Sequence, residues 1–354
     1  MRVNLVQLKE LWCRMAKILF QVDQLSYRGV LSSVLEFAKY NQEVLGNESA
    51  IIYNSVNPPG KDVGTKPELI GEVAKLYPLY SFANEASLNA TAAKFDFCYS
   101  QRAGVLYDPM DGNKKLPEVT STKFGVHSVF QYYQPHGDVY TYISEWLAKA
   151  VENLYAEHNI GPQKFVPFPI NLPPPDQNLR LTLKEKLGIP LDSFIIGRYG
   201  GFETFDLEFT MKAVLRVARD NPKIVFWFVN TRPFGPKMDN MIFTGPLFGQ
   251  QSKSNYICAC DAMLHARMLG ESNGLAISEF LFHNKPVLAW EGGFDQNHNE
   301  MLKPYDLLYK EDEQDAYERI LDLPNRVNRD YNQIVAKYNP NNVMRQFKNV
   351  FIDG

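Results

Sequence analysis

Apolar residues in this chain gather into short runs, separated by stretches in which they recur every three or four positions. The runs at 17–22, 50–53, 95–99, 124–130 and 140–144 read as strands, as do those at 194–199, 224–229, 240–244, 262–264 and 286–290. The run from Ile224 to Val229 is almost wholly apolar, as a strand covered on both faces must be. Val30, Val34, Phe37 and Ala38 repeat at helical spacing. Stretches 145–155, 183–187, 207–219, 275–282, 315–321 and 341–351 also read as helices, the first with Ser144 as its N-cap. Strands alternating with helices predict an α/β fold built on parallel sheets.

The richest proline stretch lies near mid-chain, at Pro173, Pro174 and Pro175. It reads as a stiff linker between two halves of similar plan. The expected domains are 1–172, completed by a C-terminal helix at about 337–354, and 173–336.

Composition narrows the picture further. The chain has 354 residues, 45% hydrophobic and 22% charged, which suits two ordinary globular domains. Its net charge of -3 offers no basic face, so nucleic acid is not an expected partner. Cys13, Cys98, Cys258 and Cys260 have no zinc-ribbon spacing and read as buried thiols, compatible with a reducing compartment. Residues 1–16 carry four charged side chains and lack the apolar core of a signal peptide. A cytoplasmic location follows as the expectation, with 1–16 an extra helix docked on the fold or in peripheral contact with a membrane.

The candidate chemistry centres on the segment from Asp261 to Phe280. A strand end at 262–264, a loop from Gly270 to Gly274, a helix stopped near Asn284 and a strand at 286–290 make one βαβ unit. Ligands sit at the carboxyl ends of such strands. The amides of Asn273, Gly274 and Leu275 open the helix, where a phosphate is favoured. Glu271 lies in the loop and Glu279 within an apolar helical stretch, between Ile277 and Phe280 and their neighbours. A carboxylate only accepts hydrogen bonds, so it suits sugar hydroxyls, and a buried one needs partners. Two acceptors flanking a phosphate site describe a nucleotide-sugar pocket. Elsewhere, Gly29 opens a helix after a strand, His127 stands at a strand end, and Arg198 ends the strand before Gly200 and Gly201. Asp295 and His298 alone are too few for a metal site.

Glu271 and Glu279 with seven residues between, Gly274-Leu275, and Lys285-Pro286-Val287 after them resemble the motif of retaining GT-B glycosyltransferases, notably the large family-four class. Asn273 stands where an aromatic is usual, Asn284 where Gly is usual, and Glu203 where a Lys follows the Arg by five residues. The resemblance implies two Rossmann-like domains facing a central cleft, the second binding the donor. It implies transfer of a sugar, with retention and without metal, from a UDP- or GDP-linked nucleotide sugar to a glycan or other hydroxyl acceptor. No cofactor beyond that co-substrate is implied. By the same resemblance Glu271 and His127 contact the sugar, Arg198 the diphosphate, Glu279 the ribose, and Gly29 and Gly200 line the donor site. Arg232, Arg267 and Lys212 are candidates to replace the missing lysine. A non-catalytic nucleotide-sugar binder and a GT-B epimerase are the alternatives.

Overall fold

The computed structural model describes residues 15–56, 64–108, 114–176 and 179–354. Cys13 and nearly all of the expected helix of 1–16 lie outside the described residues. The chain divides into two units. The first comprises Met1–Ser26, Ser33–Val166 and Val343–Gly354, the second Tyr27–Ser32 and Pro167–Asn342. Among the described residues no helix is long and apolar enough to cross a membrane.

The first unit holds strands β1 (Lys17–Val22), β2 (Glu48–Asn54), β3 (Leu79–Phe82), β4 (Phe97–Arg102), β5 (Lys123–Ser128) and β6 (Val139–Tyr142). They form one parallel sheet in the order β3-β2-β1-β4-β5-β6. The second unit repeats the plan with β7 (Phe194–Tyr199), β8 (Ile224–Val229), β9 (Met241–Thr244), β10 (Ala262–His265), β11 (Val287–Trp290) and β12 (Leu308–Tyr309). Its order is β9-β8-β7-β10-β11-β12, again parallel. Each order reverses beside the first strand, the arrangement of doubly wound α/β sheets. Every residue of β8 is buried, which explains its unbroken apolar run.

Three helices carry residues of the candidate site or its supports: α1 (Gly29–Glu43), α2 (Gln250–Ala259) and α3 (Leu275–Phe282). The hydrophobic pattern assigns no element to 250–259, yet α2 packs closely on the second sheet. A Cβ on Gly197 would lie 2.5 Å from Cys260 Sγ and 2.7 Å from the Tyr256 hydroxyl, so only glycine lets helix and strand approach so far. The Tyr256 hydroxyl accepts from the Arg198 amide at 2.6 Å and donates to the Trp227 carbonyl at 2.7 Å. It thereby ties β7 to β8.

The proline stretch is bound to the second unit rather than free. Ser254 Oγ donates to Pro173 O at 2.6 Å, Gln251 to Pro174 O at 3.2 Å, and the Asp176 amide to Asn255 Oδ1 at 3.2 Å. Leu172 lies in the core of that unit, and the two units divide at Val166 and Pro167. The chain returns to the first unit at Val343. There the helix Pro340–Phe347 and the turn after it set Phe347 and Phe351 against Tyr99, with ring centres 5.3 and 5.2 Å away.

Candidate functional site

The loop between β10 and α3 is shaped by glycine. Gly270 has φ +70°, and a Cβ there would lie 1.9 Å from the Asp295 carbonyl oxygen. Gly293, at φ +107°, would meet the Gly270 nitrogen at 2.7 Å. This close approach lets Gly270–Glu271 pair with Asp295–Gln296 as a two-stranded ribbon. The polar loop after β11 is therefore the neighbour that fixes Glu271. Asn297 Nδ2 adds a bond to the Asn273 carbonyl at 2.8 Å.

Glu271 Oε1 accepts from His265 Nε2 at 2.9 Å and pairs with Arg267 Nη1 at 3.3 Å. Its side chain keeps 21% exposure. Burial alone would raise the carboxyl, but the His265 hydrogen bond and the Arg267 charge outweigh it and hold the group down at about 2. Glu271 is thus ionised and an acceptor throughout the physiological range. Gly274 follows in a left-handed conformation, φ 74°, as the N-cap of α3, with no side-chain cap. The amides opening α3 are accordingly left to other partners, and Leu275 and Ala276 are half-buried.

Glu279 is more enclosed than its sequence context suggests. The sequence suggests an open pair of oxygens for vicinal hydroxyls. In the structure Glu279 is 3% exposed, Oε1 accepts from Lys253 Nζ at 2.8 Å, and Oε2 accepts from the Tyr199 hydroxyl. One acceptor direction remains on each oxygen. The pairing answers the cost of burying a carboxylate in an apolar helix.

Arg198 is likewise engaged by its surroundings. Its Nη1 donates to Asn230 O at 3.2 Å and Thr231 Oγ1 at 2.6 Å, and its Nη2 to Gly201 O at 3.0 Å and Thr204 Oγ1 at 2.6 Å. A guanidinium has five N–H donors, so only Nε–H is left. Arg198 braces its own loop instead of presenting a fork. Burial lowers it to about 10, although the charges of Glu271 and Asp206 act in the opposite direction. Gly200 leaves room for this fold-back, since a Cβ there would press on Arg198 Nη2 at 3.0 Å.

His127 lies in the interior of the first unit. It is fully buried, with Nδ1 2.6 Å from the Tyr99 hydroxyl and Nε2 3.0 Å from the Tyr142 carbonyl oxygen. Phe37 and Phe351 flank the ring, centres 5.8 and 5.4 Å away. It joins the core of the first unit and offers no polar edge to a ligand. His127→Ala is expected to cost about 2–4 kcal/mol of stability, read from urea unfolding, through a cavity and two orphaned partners.

Gly29 begins α1 with nothing within 4 Å of a Cβ position. Arg28 and Glu203 pair at 2.8 Å, both about half exposed, so Glu203 is already matched by a cation. Of the candidate replacements for the missing lysine, Arg267 pairs with Glu271, and Lys212 forms an exposed pair with Glu208 at 2.8 Å. Arg232 lies over the Phe202 ring. Lys253, which joins Glu279 here, is not marked by the sequence. Its surroundings are polar and its helix has no clear apolar face, so the pattern carries no signal for it.

Acid should weaken this protein in two overlapping steps. Burial lowers His127 to about 3, and His283 and His298 each to about 4. The unfolded chain then binds more protons, so stability is full above pH ~6.5 and falls as pH drops toward those values. The Glu271 contribution is present above pH ~4.5 and is lost as pH falls toward 2, on the order of 2–3 kcal/mol. Urea midpoints across pH 3–8 should show the histidine decline in both wild type and Glu271→Gln, and the lower one in wild type alone.

No family model matches the chain, and no curated protein matches it. Solved structures do. A glycosyltransferase from Rickettsia africae is similar at TM-score 0.66 and 14% identity, covering 96% of this chain and 99% of that one. HepE from Anabaena, solved with UDP and glucose, is similar at TM-score 0.64 and 12% identity, covering 94% and 98%. A putative UDP-N-acetylglucosamine 2-epimerase from Listeria monocytogenes is similar at TM-score 0.55 and 11% identity, covering 96% and 98%. The fold is that of the GT-B glycosyltransferases.

Proposed function

We propose that this chain is a glycosyltransferase that moves a sugar from a nucleotide-sugar donor to a hydroxyl on a glycan or other acceptor, with retention and without metal. The observation that carries the reading is Glu271. It is an ionised, partly exposed carboxylate, locked by its loop beside the uncapped start of α3. The amides of Gly274, Leu275 and Ala276 suit the diphosphate, and Glu271 suits hydroxyls of the adjoining sugar. Support also comes from the fold, which HepE shares and in which that protein was solved with UDP and glucose. Glu279 adds one acceptor direction per oxygen toward a ribose, within a network already fixed by Lys253 and Tyr199. Arg198 and Gly200 shape the loop beside that network.

In the reaction the bond from the anomeric carbon to the diphosphate breaks, and one from that carbon to the acceptor oxygen forms on the same face. The acceptor proton passes to the departing diphosphate. Charge grows on the phosphate as it leaves, which is where aligned amides are most effective. The compartment proposed for this chemistry is the cytoplasm.

The test is turnover. The purified chain, incubated with UDP- and GDP-linked sugars and a panel of glycan acceptors, should release nucleoside diphosphate and yield a product of the donor's anomeric configuration. EDTA should not change the rate. The similarity to an epimerase favours one second reading, conversion of the donor itself. A new nucleotide sugar formed without acceptor and without diphosphate release would select that reading.

A further inference from the structure

Lys253 sits on α2 and is 8% exposed. Its Nζ donates to Glu279 Oε1 at 2.8 Å and to Ser32 Oγ at 2.6 Å. An ammonium has three donors, and the third has no hydrogen-bond partner among the described residues. Glu279 is the fifth residue of α3, and side chains on a helix lean toward its N-terminus. Ser32 belongs to the first turn of α1 and, like Lys253, to the second unit.

The ammonium is therefore held beside the opening turns of two helices. Each such end carries roughly half a positive charge. Glu279 balances the charge on Lys253, and Glu271 stands beside the start of α3, so the feature left open is the third N–H of the ammonium. A buried ammonium N–H without an acceptor is matched by an anionic oxygen. Arg198 cannot meet that need, with four donors already taken, and Arg28 is matched to Glu203 nearer solvent.

We propose that Lys253 is a diphosphate-binding residue, its remaining N–H reaching a phosphate oxygen of a bound nucleoside diphosphate and stabilising that group as it departs. This role rests on the nucleotide-sugar reading. It assigns the leaving-group cation to a helix outside the Glu271–Glu279 segment. A purely structural lysine would do no more than neutralise Glu279.

Removing Lys253 alone strands a buried carboxylate, so the comparison is Glu279→Gln against the double variant Glu279→Gln/Lys253→Met. Both are checked for fold by circular dichroism, and titrated calorimetrically with UDP, GDP and ADP and with the corresponding nucleosides. The double variant should bind the preferred diphosphate about 10–100-fold more weakly than Glu279→Gln, with nucleoside affinity within about twofold. Lys253→Arg in the native background, which keeps the charge, should retain most of the diphosphate affinity. Equal diphosphate affinity in the single and double variants overturns the role of Lys253 while the functional reading stands. A wild-type chain that binds no nucleoside diphosphate removes both.

Discussion

Glu271→Gln is expected to lower the rate of sugar transfer by about 10²–10³-fold while the chain remains folded. The carboxylate is surrounded by donors, His265 Nε2 at 2.9 Å and Arg267 Nη1 at 3.3 Å. A carboxamide brings an NH₂ to that position. One orientation sets donor against donor, and the other turns the NH₂ toward the sugar hydroxyls that Glu271 would accept from. Either loses an acceptor and the negative charge opposite the start of α3. Initial rates with the preferred donor and acceptor measure the effect, with circular dichroism as the control. A variant within threefold of wild type would remove Glu271 from the chemistry.

Gly270→Ala should be the most damaging single-methyl change in the second unit, at about 2–4 kcal/mol. The new Cβ would need the 1.9 Å space already filled by the Asp295 carbonyl, at a backbone φ of +70° that alanine resists. The ribbon between Gly270–Glu271 and Asp295–Gln296 has to open, and Glu271 moves with it. Activity should fall together with stability. Gly29→Ala is the contrast, because its Cβ meets nothing within 4 Å and its backbone carries no positive φ, so its unfolding free energy should change by no more than about 0.5 kcal/mol. Urea melts of the two variants side by side decide the matter. Equal midpoints would mean that the loop is not held as described.

Much of the fold is written in local pattern. Runs such as Ile224 to Val229 are long and apolar because both faces of a parallel sheet are covered, and that is visible without coordinates. The start of α3 is also readable, as is its stop at Asn284, which is left-handed at φ 58° and whose side chain caps the Tyr331 amide at 2.6 Å. The α2 helix is not readable, because its buried positions include Lys253 and Ser254. Those polar groups are held by the Pro173 carbonyl and by Glu279, partners distant in sequence.

The site residues show the same division. Residue type and strand-end position mark His127 and Arg198, but burial decides their roles. His127 faces the side of its sheet covered by Phe351, a contact across most of the chain that no window reveals. Arg198 is consumed by its own loop through Gly201 and Thr204, which spacing alone cannot show. The Glu271 environment is half legible. Its loop can be seen, while the ribbon with Asp295 depends on a close approach of Gly270 and Gly293 that exists only in three dimensions.

The start of α3, with Glu271 beside it, is proposed to receive the diphosphate sugar of a nucleotide donor. Thermal unfolding of the purified wild-type chain against a panel of UDP- and GDP-linked sugars addresses it most directly. A ligand at 100 times its dissociation constant stabilises the native state by about 2.7 kcal/mol, enough to raise the midpoint by roughly 2–4 °C or more. Such a rise is expected with at least one nucleotide sugar, and its loss in Glu271→Gln. An unchanged midpoint across the whole panel, or a rise that survives Glu271→Gln undiminished, would contradict the claim.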